Sequence, residues 1–281
     1  GERRKRRARP SCAFGVFDLQ NAAKRGIIRD MGFKHSHSLG QNFLTDKNLL
    51  AAIVGDAGVT ASDRVIEVGA GQGALTRPLA ATGARVTSYE IDSRLEEYLR
   101  PLESEYPALE VVMGDFMKAE LPGEPYKAVA NLPYYITTPV LFRFLDDPDC
   151  ESVTVMVQKE VAERIIAPPG GKDYGVLSVT TRLVGEPRIT RRVPRTMFTP
   201  PPNVDSAVVT IVRRPVTLDP RTKALVRAAF AMRRKTLLNC LTAAGYPKPA
   251  VLSALSALGL PDAVRGERLS PEEFIKLSKL L

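Results

Sequence analysis

The residues best suited to chemistry in this sequence are Asn131-Leu132-Pro133-Tyr134, which interrupt an apolar run. Because Pro133 cannot donate to a sheet ladder, we expect a strand to end here and a loop to follow. The amide oxygen of Asn131 and the carbonyl of Leu132 can each accept one N–H of an exocyclic amine, while Tyr134 stacks on the attached ring. Adenine, which carries an amine at N6, fits these groups. A β-turn whose tyrosine packs on the core is the alternative for these four residues.

A glycine-rich turn after the apolar run 65–68 offers a second binding element, with Gly69, Gly71 and Gly73 at alternate positions. Glycine lets the backbone come close to a ligand, and a helix that begins at such a turn supplies free N–H groups. Dinucleotide-binding enzymes carry G-x-G-x-x-G at the same place. The G-x-G-x-G spacing departs from that fingerprint and disfavours a dehydrogenase.

Carboxylates follow two further apolar runs. Glu90 can bind both hydroxyls of a ribose, and Ile91 comes directly after it. Asp115 can accept from an adenine amine, while Phe116 or Ile91 lines the ring. Each of these residues also has an explanation as a helix cap or a turn. Together, four successive strand ends carry Gly, Glu, Asp and Asn, which is the order that a nucleoside-bearing ligand needs.

Charge separates the two classes of nucleoside cofactor. A pyrophosphate would be repelled by Glu67, Glu90 and Asp115, whereas S-adenosyl-L-methionine carries a cationic sulfonium and no phosphate. Residues 31–212 hold 18 basic and 23 acidic side chains, while residues 1–30 hold 9 and 3 and residues 213–281 hold 13 and 5. The acidic centre therefore favours the methyl donor, and the basic ends favour a polyanionic partner.

Strands and helices alternate where these residues lie, which predicts an α/β, Rossmann-like methyltransferase fold of class I with a mainly parallel sheet. Strands are expected at 64–68, 86–91, 109–113, 127–130 and 152–157, and a hairpin of 188–193 and 204–212 at the end of the sheet. Helices are expected at 17–31, 46–57, 74–82, 93–104, 221–232, 236–244, 250–258 and 271–280. The predicted domains are a disordered basic tail (1–16), a methyltransferase domain (17–214) and a small helical RNA-binding domain (215–281).

Composition points to a cytoplasmic protein. No apolar run approaches the roughly 18 residues of a membrane span, and the basic start lacks the apolar core of a signal peptide. The three cysteines, Cys12, Cys150 and Cys240, are far apart, which argues against a disulfide framework. His35 and His37 have no cysteine or carboxylate cluster nearby, so no metal site is expected.

Five blocks of the sequence, in order, resemble the rRNA adenine N6-dimethyltransferases, closest to their bacterial small-subunit type. The blocks are 38–44, 67–76, 131–134, 198–208, and Phe230 with 233–239. The resemblance covers roughly residues 17–281. Ala70 stands where that family often has Pro, and Ala231-Met232 stand where relatives often have Gln. The resemblance implies dimethylation of two adjacent adenosines in a hairpin loop near the 3′ end of 16S rRNA, by a monomer acting on an assembling 30S particle.

The resemblance also assigns residues. Cofactor contacts fall on Asn42, Leu44, Gly69, Glu90, Asp115 and Asn131. From the residue types themselves, we expect Asn131 and Leu132 to bind N6 of the target base and Tyr134 and Phe198 to hold the two faces of its ring. Arg191, Arg192, Arg195, Arg233, Arg234 and Lys235 are candidates for phosphate contacts, with a solvated helix face as the alternative.

Three other functions remain possible on the sequence alone. A large-subunit rRNA methyltransferase of the antibiotic-resistance type has nearly the same fold. A DNA adenine methyltransferase usually carries a dedicated DNA-recognition region, for which the residues after Pro215 are few. The intact Asn131-Leu132-Pro133-Tyr134 block disfavours a ribosome-assembly factor that docks without methylating. It is compatible with a protein that both methylates and assists assembly.

Overall fold

The computed structural model describes residues 43–232 and 234–281. Its strands are β1 (Phe43–Leu44), β2 (Arg64–Val68), β3 (Arg85–Glu90), β4 (Leu109–Met113), β5 (Tyr126–Asn131), β6 (Cys150–Gln158), β7 (Gly185–Val193), β8 (Phe198–Thr199) and β9 (Ser206–Arg213). Seven of them form one sheet in the order β4-β3-β2-β5-β6-β9-β7, and β1 pairs with β8 in a separate ladder. The predicted α/β fold is therefore confirmed.

The sheet is parallel from β4 to β6 and antiparallel at β9 and β7. The predicted closing hairpin is confirmed, with β9 inside the sheet and β7 at its edge. The chain leaves β2 on one side for β3 and β4, and returns to its other side for β5 and β6. Ligands of such sheets bind beyond the carboxyl ends of the strands, next to this reversal.

The central strands β2 and β5 are apolar because helices cover both faces of the sheet. Val65 and Ile66 of β2 are at most 1% exposed, and Ala128, Val129 and Ala130 of β5 are fully buried. Such strands cannot shift without exposing their apolar side chains. Gly69, which follows β2, and Asn131, the last residue of β5, are therefore placed by the most rigid part of the molecule.

The helices are α1 (Lys47–Asp56), α2 (Thr76–Ala80), α3 (Glu96–Glu105), α4 (Thr137–Asp146), α5 (Lys159–Ile166), α6 (Val176–Val184), α7 (Pro220–Ala229), α8 (Leu237–Ala243), α9 (Lys248–Ala257) and α10 (Pro271–Leu280). Helix α1 begins after Asp46 as predicted, since the Asp46 carboxylate accepts from the Leu49 N–H at 2.8 Å. Helix α2 is shorter than predicted. None of the helices in the two described ranges is long and apolar enough to cross a bilayer.

The last four helices pack against the rest of the described chain through a shared hydrophobic core. Leu225 of α7 and Phe274 of α10 belong to the same buried cluster as Val184 of α6. The buried Tyr174 hydroxyl, just before α6, donates to the Leu269 carbonyl at 2.9 Å. A separate helical domain at 215–281 stays a prediction, and the predicted tail at 1–16 and helix at 17–31 lie outside the described residues.

Candidate active site

A cavity lies at the carboxyl ends of β2, β3 and β5 and is closed on one side by the β1–β8 ladder. The structure brings together at this cavity most of the residues that the sequence singled out. Those that line it are Leu44, Gly69, Gly71, Glu90, Ile91, Asn131, Leu132, Tyr134 and Phe198. Segments far apart in the sequence therefore meet at one site.

The glycine-rich turn forms one wall of the cavity. Gly69 has a φ of 80° and Gly71 a φ of 60°, which are left-handed conformations that favour glycine. A Cβ on Gly69 would lie 3.1 Å from Pro133 Cδ, and one on Gly71 would lie 3.1 Å from Phe43 Cε1. The turn thus packs against both the loop after β5 and strand β1, and its backbone can approach a ligand.

The carboxylate of Glu90 is held in place by two backbone N–H groups. Its Oε2 accepts from Gly71 N at 2.8 Å and its Oε1 from Asp92 N at 2.9 Å. The residue is only 7% exposed, and it lines the cavity. Because each carboxylate oxygen has two lone-pair sites, both oxygens keep capacity for a further donor. The geometry suits the predicted contact with a pair of ribose hydroxyls.

Asn131 and Leu132 carry free acceptors at the end of β5. The Leu132 N–H donates to the Met156 carbonyl at 3.3 Å, which fixes the backbone. Within the described residues, neither the Asn131 side-chain amide nor the Leu132 carbonyl is hydrogen-bonded. Polar groups next to a buried strand normally have partners, so these two are available for a ligand.

Two aromatic side chains line the same cavity as these acceptors. Tyr134 is half-buried, and its hydroxyl lies 2.9 Å from the Ser206 hydroxyl. Burial raises the pKa of the Tyr134 phenol, so the group stays neutral at physiological pH. Phe198 is 3% exposed and lies opposite Leu44 in the β1–β8 ladder.

Three predicted cofactor residues do not line the cavity. Gly73 packs toward α3, since a Cβ there would lie 2.7 Å from Leu102 Cδ1. Asp115 uses its Oδ1 to accept from the Met117 N–H at 2.9 Å, as a helix cap. The ring of Phe116 is 4% exposed and packs in the core 5.2 Å from the rings of Tyr89 and Phe144. The side chain lies in the core because burial of its apolar ring is more favourable in free energy than a partly exposed position at the rim of the cavity.

Tyr135 is a cavity residue that the sequence reasoning missed. It is 51% exposed and lines the cavity directly after Tyr134. Partial burial, and then the nearby charges of Glu90 and Asp115, raise the pKa of its phenol. The sequence feature that could have identified Tyr135 as a site residue is its position directly after the Asn131-Leu132-Pro133-Tyr134 block.

Glu67, the second-last residue of β2, is a buried acid. It is 1% exposed, and its Oε2 accepts from the Ser88 hydroxyl at 2.6 Å. Burial raises the pKa of Glu67 from 4.5 to about 7, against the lowering effect of the Ser88 hydrogen bond, and the negative charge of Glu90 raises it further. A carboxyl group with this pKa is largely protonated below neutral pH.

We predict that Glu67 makes the ligand-free protein less stable as pH rises from 4.5 to 7. The raised pKa means that the folded state holds the proton more tightly than the unfolded state. The stabilisation is therefore fully present below pH 4.5 and is lost as the pH rises through about 7. Glu67→Gln, which does not titrate, should be more stable than wild type at pH 8 by roughly 3 kcal/mol, with little difference at pH 4.5. Urea unfolding at both pH values measures this. Glu110→Gln, at an exposed position on β4, is the control, and equal pH dependence of wild type and Glu67→Gln would contradict the prediction.

The charge of the cavity selects among ligands. Of the described residues that line it, Glu90 is the one acidic side chain, and none is Lys or Arg. A phosphate would find no cation there, whereas a cationic nucleoside would find a carboxylate and a glycine turn without side chains in its way. These residues fit S-adenosylmethionine.

Comparison with known proteins settles the family. The description "Ribosomal RNA adenine dimethylase" belongs to a family profile that matches residues 32–281. The chain belongs to this family. Ribosomal RNA adenine dimethylases are enzymes that use S-adenosylmethionine as the methyl donor, as the acidic cavity predicted. The family resemblance found in the sequence is therefore confirmed.

Curated relatives and solved structures agree with this membership. Ribosomal RNA small subunit methyltransferase A of Shouchella clausii is 43% identical over 278 residues, covering 92% of this chain and 94% of the relative. The protein of the same name in Clostridioides difficile is 42% identical, covering 93% and 95%. A dimethyladenosine transferase structure from Plasmodium falciparum has a TM-score of 0.73 at 30% identity, covering 84% of this chain and 95% of that one. The 23S rRNA methyltransferase ErmE has a TM-score of 0.66 at 34% identity, covering 85% and 99%.

The basic residues predicted to bind phosphates differ in their surroundings. Arg191 forms a two-pronged ion pair with Asp56, at 2.7 and 2.8 Å, so its charge is already balanced. Arg192, Arg195, Arg234 and Lys235 are exposed, and within the described ranges none of these four has an ion pair. Arg233 and the predicted cofactor residue Asn42 lie outside the described residues.

Proposed function

We propose that this chain transfers two methyl groups to N6 of each of two adjacent adenosines, in a hairpin loop near the 3′ end of 16S rRNA. The observation that carries the proposal is a pair of acceptors, the Asn131 amide oxygen and the Leu132 carbonyl, which have no hydrogen-bond partner among the described residues and line one cavity with Tyr134 and Phe198. The small-subunit substrate is supported by the name of the curated relatives, which are 41–43% identical over more than nine-tenths of this chain. We place the activity in the cytoplasm, on an assembling 30S particle, and in a monomer.

The methyl donor is placed by the turn after β2 and the end of β3. When bound, S-adenosylmethionine supplies a methyl group carried on a positively charged sulfur. Gly69 and Gly71 allow the backbone to approach it, and Glu90 accepts hydrogen bonds from its ribose. Leu44 and Ile91 make apolar contacts with it. Asp115 and Phe116 lie outside the cavity lining and make secondary contacts to its adenine end.

The target base is activated by hydrogen bonding. Adenine N6 is a poor nucleophile because its lone pair is delocalised into the ring. Asn131 Oδ1 and Leu132 O each accept a hydrogen bond from one N–H group of this amine. These hydrogen bonds draw the nitrogen toward tetrahedral geometry. The residues act by positioning and by charge placement, which supply much of the barrier reduction in transfers of this kind.

No side-chain base is needed for the transfer. The N6 proton becomes acidic only after the methyl group is attached, so solvent can remove it. Tyr134 and Phe198 hold the base after it leaves its stack, which costs least in a loop. Because each base receives two methyl groups, the pocket must allow N6 to rotate and the cofactor to exchange.

Methylation of large-subunit rRNA is the second candidate. It is favoured by the similarity to ErmE, a 23S rRNA methyltransferase that this chain matches at 34% identity over 99% of its length. The same cavity and the same acceptors would serve both substrates. The difference between the two candidates lies in RNA recognition, away from the reacting atoms.

Mapping of methylated adenosines distinguishes the candidates. The protein and labelled S-adenosylmethionine are incubated separately with immature small subunits, large subunits and DNA, and modified nucleotides are located by mass spectrometry. We expect dimethyladenosine at two neighbouring positions of 16S rRNA, in the small-subunit sample alone. Label in 23S rRNA would favour the second candidate, and label in neither RNA would overturn the proposal.

We propose that Arg234 and Lys235, together with Arg192 and Arg195, contact RNA phosphates. The double variant Arg234→Glu with Lys235→Glu is expected to weaken RNA binding and to lower the slope of log affinity against log salt by roughly 1 to 2. The same reversal at Lys276, on an exposed position of α10, is the control. Affinity titrations at several salt concentrations measure both quantities. An unchanged salt slope in the double variant would mean that these residues form a solvated face only.

A further inference from the structure

We infer that the dipeptide Asp205-Ser206 is a positioning element that holds Tyr134 and Phe198 at a fixed spacing. This rests on the proposed function, in which these two aromatic residues bind the faces of the target adenine. Tyr134 lies in the loop after β5, and Phe198 begins β8 more than 60 residues later. Hydrogen bonds connect Tyr134, and Arg195 just before Phe198, to this one dipeptide.

Ser206 holds the loop of Tyr134. The Tyr134 Oη lies 2.9 Å from Ser206 Oγ, so the far end of the phenol ring is tied to the sheet. Ser206 is 1% exposed and begins β9. Its backbone pairs with Gln158 of β6 on one side and Val193 of β7 on the other. A residue between two strands cannot shift independently, so it is a fixed point for the tyrosine.

Asp205 holds the segment that leads into Phe198. Its Oδ1 accepts from the Arg195 N–H at 2.9 Å, at the start of the 3₁₀ turn Arg195–Met197 that ends at Phe198. Its own carbonyl accepts from the Lys159 N–H at 2.9 Å, which ties it to the beginning of α5. The loop of Tyr134 and the turn before Phe198 are thereby anchored to neighbouring residues at the start of β9.

A fixed spacing matters because stacking on both faces of a base requires two parallel surfaces at a defined separation. If Ser206 loses its hydroxyl, the Tyr134 ring keeps its place in the loop but loses the contact that sets its orientation. The target base is then held less often in the geometry for transfer, whereas the cofactor wall formed by Gly69, Gly71 and Glu90 is not touched. The expected defect is therefore in turnover and not in cofactor binding.

Ser206→Ala tests the role of the hydroxyl. Its single-turnover methylation rate is expected to fall about 5- to 10-fold, the size of one lost hydrogen bond. Tyr134→Phe should show the same loss, and the double variant should be no slower than either, because both changes remove one interaction. Calorimetric affinity for S-adenosylhomocysteine should stay within about twofold of wild type in all three, since none of these changes removes a contact to the cofactor.

Matched variants separate positioning from stability. Thr210→Ala removes another buried hydroxyl from β9, one that lies 3.2 Å from the Thr154 hydroxyl, and is expected to keep wild-type turnover. Asp205→Ala should be slow, and Asp205→Asn, which keeps an oxygen for the Arg195 N–H, should recover most of the rate.

The outcomes distinguish this inference from the function on which it rests. Wild-type turnover in Ser206→Ala, with Tyr134→Ala strongly impaired, would overturn the positioning role alone. Wild-type turnover in Tyr134→Ala would remove Tyr134 from the binding of the base, and the proposed base pocket with it. Losses that are multiplied in the Ser206→Ala, Tyr134→Phe double variant would also contradict a shared interaction.

Discussion

Replacing Asn131 by Ala is expected to lower the rate of adenine methylation by roughly 100- to 1,000-fold, the usual effect of losing one well-placed polar group in an active site. Asn131 lies at the end of the buried strand β5, and its amide has no partner among the described residues. The loss should fall on the chemical step, because the side chain acts on N6 after the base has entered the pocket. Single-turnover rates with labelled S-adenosylmethionine measure it.

Binding measurements complete the test of Asn131. Affinity for RNA should remain near wild type, and affinity for S-adenosylhomocysteine should fall only modestly, since one of several cavity contacts is lost. Asn48→Ala, at an exposed position on α1, is the control for replacing an asparagine. Wild-type turnover in Asn131→Ala would remove the residue from the mechanism.

Replacing Glu90 by Ala is expected to weaken cofactor binding by about 100-fold, as the loss of charge-assisted hydrogen bonds implies. The change removes the acceptor of any ribose contact and leaves the N–H groups of Gly71 and Asp92 without their partner. The turn after β2 should therefore loosen as well, and the ligand-free protein should be less stable. Titration calorimetry with S-adenosylhomocysteine and urea unfolding measure the two effects.

Graded variants test whether the charge or the shape of Glu90 matters. Glu90→Gln keeps the size and one acceptor oxygen, so it should bind the cofactor with an affinity between those of wild type and Glu90→Ala. Glu110→Ala, at an exposed site, should bind as wild type does. If Glu90→Ala binds S-adenosylhomocysteine with unchanged affinity, the cofactor does not lie against the end of β3.

The sheet was predictable because its signals are local. Apolar runs mark the central strands, and a Gly, Pro or carboxylate marks each strand end, so Gly69, Glu90 and Asn131 could be assigned to one edge. Helices α4, α5 and α6 were not predicted by name, and the side chains of their N-cap residues Ile136, Gln158 and Gly175 make no capping hydrogen bond. Their positions are set by packing against the sheet, which sequence periodicity does not record.

The site was predictable in its residue types and less so in its contacts. Phe116 looked like a ring contact for the cofactor because it follows Asp115, but burial in the aromatic cluster with Phe144 places it in the core. Arg191 looked like a phosphate ligand, but its partner Asp56 lies 135 residues earlier in the chain. The Tyr134–Ser206 contact spans 72 residues. Pairings of this kind depend on tertiary structure, and no short motif encodes them.

The ladder of β1 with β8 joins the two sides of the cavity. Leu44, on the side assigned to the methyl donor, is paired directly with Phe198, on the side assigned to the base. A ligand that displaced this two-residue ladder from one side would move both walls, and would thereby change the fit of the other ligand. Thermodynamic reciprocity then requires that RNA and methyl donor change each other's affinity by the same factor. The order in which the two arrive would alter the kinetics of the reaction and leave that factor unchanged.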